Sequence, residues 1–144
     1  MTLIIDASVA VKWYAEEDLH AEARALLPRA REFRAPDLVL AEVANAVWRK
    51  CRTGMIAREQ ALSIPIALRM VFSEFFPTAA FVGEALRMAL TLQHPVYDCL
   101  YLACAEANDG TLITADRRLI AVVRDSRYAH RVRHLAEVEV APRP

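Results

Sequence analysis

Apolar positions along the chain fall into short runs whose period switches between that of a strand and that of a helix. Leu3-Ile4-Ile5 predicts a three-residue strand ending at Asp6, and Val9, Val11, Trp13 and Tyr14 continue from it as a helix. Glu16-Glu17-Asp18 marks a turn and a helix start, since carboxylates favour a first turn. Leu19 to Ala30 reads as helix, kinked or ended by Pro28, and Phe33 to Pro36 as a short extended piece. Asp37 caps a strong helix from Leu38 to Arg52, with Gly54 as its stop. Arg58 to Ser73 is amphipathic and interrupted by Pro65; Ser73 to Thr78 holds a short strand; Ala79 to Gln93 is helical and ended by His94-Pro95.

The stretch from Pro95 to Leu119 organises the rest. Asp98 sits at the N-cap or first turn of a helix whose run from Cys99 to Ala107 is apolar at nearly every position, which predicts burial on most sides. Asn108-Asp109-Gly110 stops that helix, and Thr111 to Thr114 is a β-prone run leading to Asp116. A strand delivered by a preceding helix is half of a parallel α/β unit. Leu119, Ile120, Val122 and Val123 then form a short helix, and Ala129 to Val140 alternates as a last strand before Pro142 and Pro144. No internal repeat, low-complexity segment or linker divides the chain, so a single domain over residues 1–144 is expected.

Composition narrows the class. At 56% hydrophobic residues the chain carries enough for a core, yet no window approaches a membrane span and no basic region precedes the first apolar run, so a soluble, cytoplasmic protein is expected. Cys51, Cys99 and Cys104 form no C-x-x-C pair and read as small apolar residues. Net charge is zero, but all of the eighteen positive side chains except Lys12 and Lys50 are Arg, the better bidentate partner for phosphate. A GC-rich genome explains the same bias. The C-terminal residues Arg117, Arg118, Arg124, Arg127, His130, Arg131, Arg133 and His134 fit either a phosphate-binding rim or a solvated face. Surface positions are expected for His20, His94, His130 and His134, and core or interface packing for Tyr97 and Tyr101.

Four carboxylates carry the candidate chemistry: strand-end Asp6, helix-borne Glu42, helix-start Asp98 and strand-end Asp116. In an open parallel sheet, the carboxyl ends of strands and the starts of adjoining helices meet at one edge. Glu42 shares a polar helix face with Asn45 and Arg49. Close carboxylates repel unless a cation neutralises them, and an all-oxygen site suits Mg²⁺ or Mn²⁺. The chemistry would then be metal-assisted phosphodiester hydrolysis. The competing reading is four unrelated caps and surface acids. A receiver-like phosphoacceptor would need adjacent acids after the first strand and a Lys after the last, and neither is present. Ser8 lacks an identifiable His base for a nucleophilic role.

The segments D-A-S-V-A-V-K-W (Asp6 to Trp13), A-E-V-A-N-A-V-W (Ala41 to Trp48), V-Y-D-C-L-Y-L-A (Val96 to Ala103) and L-I-T-A-D-R-R-L (Leu112 to Leu119) together resemble the signatures of PIN-domain ribonucleases, specifically the VapC-type toxins of toxin–antitoxin pairs. The resemblance implies a three-layer α/β PIN-like fold, a central parallel sheet flanked by helices. It implies a Mg²⁺- or Mn²⁺-dependent endoribonuclease with Asp6, Glu42, Asp98 and Asp116 as the catalytic quartet. Asp6, Asp98 and Asp116 would hold the metal, with Glu42 reaching it through water. Ser8, Thr114 and, more remotely, Asn45 would orient the ion or its waters, and Arg117 and Arg118 would contact RNA. A cognate antitoxin and a homodimer are the implied protein partners, with Leu19 to Ala30 and Arg58 to Ser73 as the available apolar helices. Some relatives carry an extra acid or amide where this chain has Arg117-Arg118, so a second metal site is not implied. The alternative within the same fold is a catalytically silent module that binds RNA or protein.

Overall fold

The computed structural model describes residues 1–140. Five strands, β1 (Leu3–Ile5), β2 (Phe33–Pro36), β3 (Glu74–Phe76), β4 (Thr111–Thr114) and β5 (Val132–His134), form one sheet in the order β3-β2-β1-β4-β5. Every pairing is parallel. β1 is central and buried along its whole length, which is why it reads as a continuous apolar run rather than an alternation. Its register sets Leu3 beside Phe33 on one side and Ile5 beside Ile113 on the other.

Helices fill the crossovers: α1 (Ala7–Ala10), α2 (His20–Ala25), α3 (Leu38–Arg52), α4 (Arg58–Val71), α5 (Val82–Leu92), α6 (Val96–Ala107) and α7 (Arg117–Val123). The chain winds outward from β1 through β2 to β3, then returns past β1 to β4 and β5. The two directions part between β1 and β4, the place where open parallel sheets bind ligands. α6 is the hub. Cys99 to Ala105 are all buried against the sheet and α5, as its apolar run predicts. Trp13 stacks on Phe33 with ring centroids 5.5 Å apart and closes the far end of the core with Phe72.

The fold is the three-layer α/β arrangement expected, with local differences. Leu19 to Ala30 is not one helix: α2 ends at Ala25 and a 3₁₀ segment, Leu27–Glu32, carries Pro28 in its first turn, where a missing N–H costs nothing. α4 instead passes through Pro65 unbroken, with Ile64 and Leu68 anchoring its buried face and the proline ring exposed. Asp37 precedes α3, but its side chain caps no α3 amide. Its Oδ1 accepts from Thr78 N at 3.1 Å and Thr78 Oγ1 at 2.6 Å, while Leu38 N donates to Thr78 Oγ1 at 2.9 Å. Thr78 to Phe81 is a 3₁₀ turn rather than the start of α5. The last strand shrinks to three residues between two 3₁₀ turns, Ala129–Arg131 and Leu135–Glu137, because only that stretch can pair with β4. Pro142 and Pro144 lie outside the described residues. No described helix is long and apolar enough to cross a membrane.

Candidate active site

Asp6 ends β1 and caps α1. Its backbone is extended, and its side chain accepts from Ser8 N at 3.4 Å and Ser8 Oγ at 3.0 Å. Thr114, the last residue of β4, donates to Asp6 Oδ2 at 2.6 Å and accepts from Asp116 N at 3.0 Å. Ser8 Oγ also accepts from Ala115 N at 3.0 Å. The two hydroxyls therefore stitch the ends of β1 and β4 together and fix Asp6 at the switch point. Asp6 is buried, and that burial lifts its carboxyl from 3.8 to about 6 against the opposing bonds from Thr114 and Ser8, with Asp98 adding to the rise.

Asp98 occupies the first turn of α6, as its place before the apolar run predicts. It is the shared neighbour of the cluster: its charge raises the carboxyls of both Asp6 and Glu42, and Asp116 acts on it in turn. Burial is the first cause of its own rise and His94 works against it. Glu42, half-buried on α3, is raised first by burial; Tyr101 donates to its Oε1 at 2.7 Å and partly offsets this. Asp116 caps α7, accepting from Arg118 N at 2.8 Å and Leu119 N at 3.4 Å. Four elements thus bring Asp6, Glu42 and Asp116 within range of the charge on Asp98.

Asn45 stands apart. It is exposed and lines a groove with Glu42, Arg49 and Tyr97, and among the described residues its side chain bonds to none of the four acids. Arg117 and Arg118 are exposed beside Asp116 and form no salt bridge among the described residues. Arg131, by contrast, is tied to Glu106 and Asp109 at 3.2 and 2.7 Å, so the C-terminal basic residues are not one free rim. The thiols of Cys99 and Cys104 are pushed up by burial to about 11 and about 12, as inert apolar residues should be.

Spacing misplaced three histidines and did not show what Tyr101 does. Of the four histidines only His130 is exposed; His134 is buried in β5, His20 half-buried, and His94 turns its ring inward, its Nε2 2.6 Å from Asp98 Oδ2. Tyr101 is indeed a core residue, 1% exposed, but its hydroxyl serves Glu42. The available signal was helical phase: Tyr101 stands three residues after Asp98 and so shares its face.

The donor set fits a hard divalent cation. The four acids offer carboxylate oxygens, with the hydroxyls of Ser8 and Thr114 behind Asp6 and the His94 ring beside Asp98, and among the described residues no Lys or Arg pairs with any of the four acids. Ligand-capable atoms of His94, Asp98 and Asp116 lie within 4.8 Å of one another.

Known proteins resemble this chain over most of its length. The PIN domain profile matches residues 3–125. Ribonuclease VapC3 of Pyrobaculum aerophilum is 32% identical over 121 residues, 83% of this chain and 92% of that protein. Ribonuclease VapC1 of Mycobacterium tuberculosis is 32% identical over 120 residues, 82% of this chain and 88% of that protein. The crystal structure of PAE2754 from Pyrobaculum aerophilum matches with a TM-score of 0.72 at 20% identity, covering 94% of this chain and 90% of that one, a likeness of fold. With a profile spanning most of its length and two relatives at that identity, the chain belongs to the PIN-domain family.

Proposed function

We propose that this chain is a divalent-metal-dependent endoribonuclease, the toxin of a toxin–antitoxin pair, folded as one PIN-like domain. The observation that carries the reading is that Asp98 and Asp116 bring ligand-capable oxygens within 4.8 Å while Asp98's charge also acts on Asp6 and Glu42, with no Lys or Arg paired to any of the four among the described residues. Asp6, Asp98 and Asp116 would hold Mg²⁺ or Mn²⁺, with Glu42 reaching it through water. The ion would polarise the scissile phosphate and ease ionisation of the attacking water. Thr114 and Ser8 keep Asp6 turned toward the site by their bonds to it. Glu42, with Oε1 held by Tyr101 and its carboxyl raised, is suited to take a proton from a water at its other oxygen. Arg117 and Arg118 at the rim would grip the RNA backbone.

Protein partners have a place to bind. α4 exposes Leu62, Ile66 and Met70, and α3 exposes Trp48 across an apolar cleft. Of the two helical segments expected to serve partners, only α4 presents such a face, because the apolar residues of the first, Ala23 and Leu26, are buried. A cognate antitoxin and a second copy of the chain are the proposed occupants.

Cleavage of RNA with Mg²⁺, with EDTA, and by Asp98→Asn tests the reading. Cleavage should require Mg²⁺ and fall by at least about 100-fold in the variant. Activity that survives both EDTA and the substitution would remove the mechanism; RNA binding without cleavage in Mg²⁺ would leave the silent module.

A further inference from the structure

His94 lies outside any helix, in the three-residue connection between α5 and α6, four residues ahead of Asp98. Its side chain is only 8% exposed, against 24% for Asp98. The backbone holds it from both sides: His94 N donates to the Ala89 carbonyl at 3.2 Å, and Pro95, the N-cap of α6, follows with φ −54°. The imidazole is therefore delivered to Asp98 by the chain itself.

We infer that His94 is a positioning residue for the metal site: its Nε2–H donates to Asp98 Oδ2 at 2.6 Å and sets the plane of that carboxylate, leaving the other oxygen for a cation. The inference rests on the metal-site reading above. An aspartate's last torsion is broad and two-fold, so nothing intrinsic to the side chain fixes the direction of its oxygens. Repulsion from Asp116 and Asp6 would turn the Asp98 carboxylate away from the very place where a cation needs it. A short hydrogen bond from a buried ring resists that turn. The ring is also near enough to Asp98 and Asp116 to serve as a nitrogen ligand. Yet Nε2 cannot at once donate a proton to Asp98 and lend its lone pair to an ion, and its partner at 2.6 Å is Asp98 Oδ2.

Mn²⁺ affinity of the full chain, read from the electron paramagnetic resonance of the free ion, separates these roles. His94→Leu should weaken Mn²⁺ binding about 10–100-fold, whereas His94→Gln, which keeps an N–H donor, should stay within about threefold of the wild type. Adding His94→Leu to Asp98→Asn should cost nothing further, because a positioning residue acts only through the carboxylate it positions. Long-range proton–nitrogen correlation spectra of the metal-free wild type should find the His94 proton on Nε2. A His94→Leu variant that binds Mn²⁺ like the wild type overturns the inference, and so does a proton on Nδ1 alone. Further weakening of Asp98→Asn by His94→Leu would make His94 a ligand instead. If the leucine variant does not fold, the glutamine variant and the spectra decide. Wild-type protein that takes up no Mn²⁺ overturns the metal reading and this one with it, a pattern distinct from tight binding that His94→Leu leaves untouched.

Discussion

Asp6 is the most deeply buried of the four acids, at 5% exposure, and burial raises its carboxyl from 3.8 to about 6. A carboxyl whose folded pKa exceeds its unfolded one stabilises the fold while protonated. That contribution is complete below about pH 4 and is lost as pH rises through about 6. Metal-free protein should therefore lose roughly 3 kcal/mol of stability from Asp6 ionisation over that window, taking 1.36 kcal/mol per pKa unit. In urea unfolding with EDTA at pH 7, Asp6→Asn should be more stable than the wild type by about that amount, and added Mg²⁺ should narrow or reverse the gap. Equal unfolding midpoints at pH 7 would show that Asp6 carries no such strain. The places of Asp6, Asp98 and Asp116 at strand and helix ends were legible because each stands where an apolar run begins or ends. His94 was not, because nothing in its spacing distinguishes a ring turned inward by a connecting segment from one turned to water.

At the scale of elements, the loop before α2 is pinned by the only two lysines in the chain. Glu17 accepts from Lys12 Nζ at 3.1 Å and pairs with Lys50 Nζ, so one carboxylate joins the 3₁₀ turn after α1 to the last turn of α3. All three side chains are less than a quarter exposed. Burial alone would raise the Glu17 carboxyl, but the two ammonium groups outweigh it and the net shift is downward. Glu17→Ala would leave two largely buried ammonium groups facing each other and should cost roughly 1–3 kcal/mol, below the full penalty for a dry pair because water still reaches them. Unfolding by urea measures this, and an unchanged midpoint would reduce the triad to a surface decoration. Element boundaries were read well where a stop signal is local, as at Gly54 with φ +79° or Asp109 with φ +48°. They were misread where a partner distant in sequence decides: Asp37 was expected to cap α3, but Thr78 takes its side chain and caps α3 in its place.

For the whole molecule, the strand order β3-β2-β1-β4-β5 puts one switch point at the ends of β1 and β4, and the hydroxyls of Ser8 and Thr114 lock that junction. The opposite consideration applies to the apolar face of α4, which no part of the described chain covers. Leu62 is 65% and Ile66 70% exposed, so the double change to Glu should leave the isolated fold within about 0.5 kcal/mol. It should weaken association with a protein partner at least tenfold or so, since apolar anchors at interface centres carry most of the binding energy. Sedimentation of the chain alone and titration with the proposed antitoxin measure both occupants; unaltered association in both would move the interface elsewhere.

The sequence by itself determined that the chain alternates strands and helices, that α6 would be buried, and which carboxylates close the strands and open the helices, because these follow from local periodicity and caps. Only the tertiary structure decided that Asp98 stands among the other three acids, that Tyr101 and His94 hold Glu42 and Asp98, and that the C-terminal arginines are partly tied by Glu106 and Asp109. The physical reason is range: backbone conformation answers to neighbours within a few residues, whereas the field on a carboxylate and the donor it finds come from whatever the folded sheet brings alongside it.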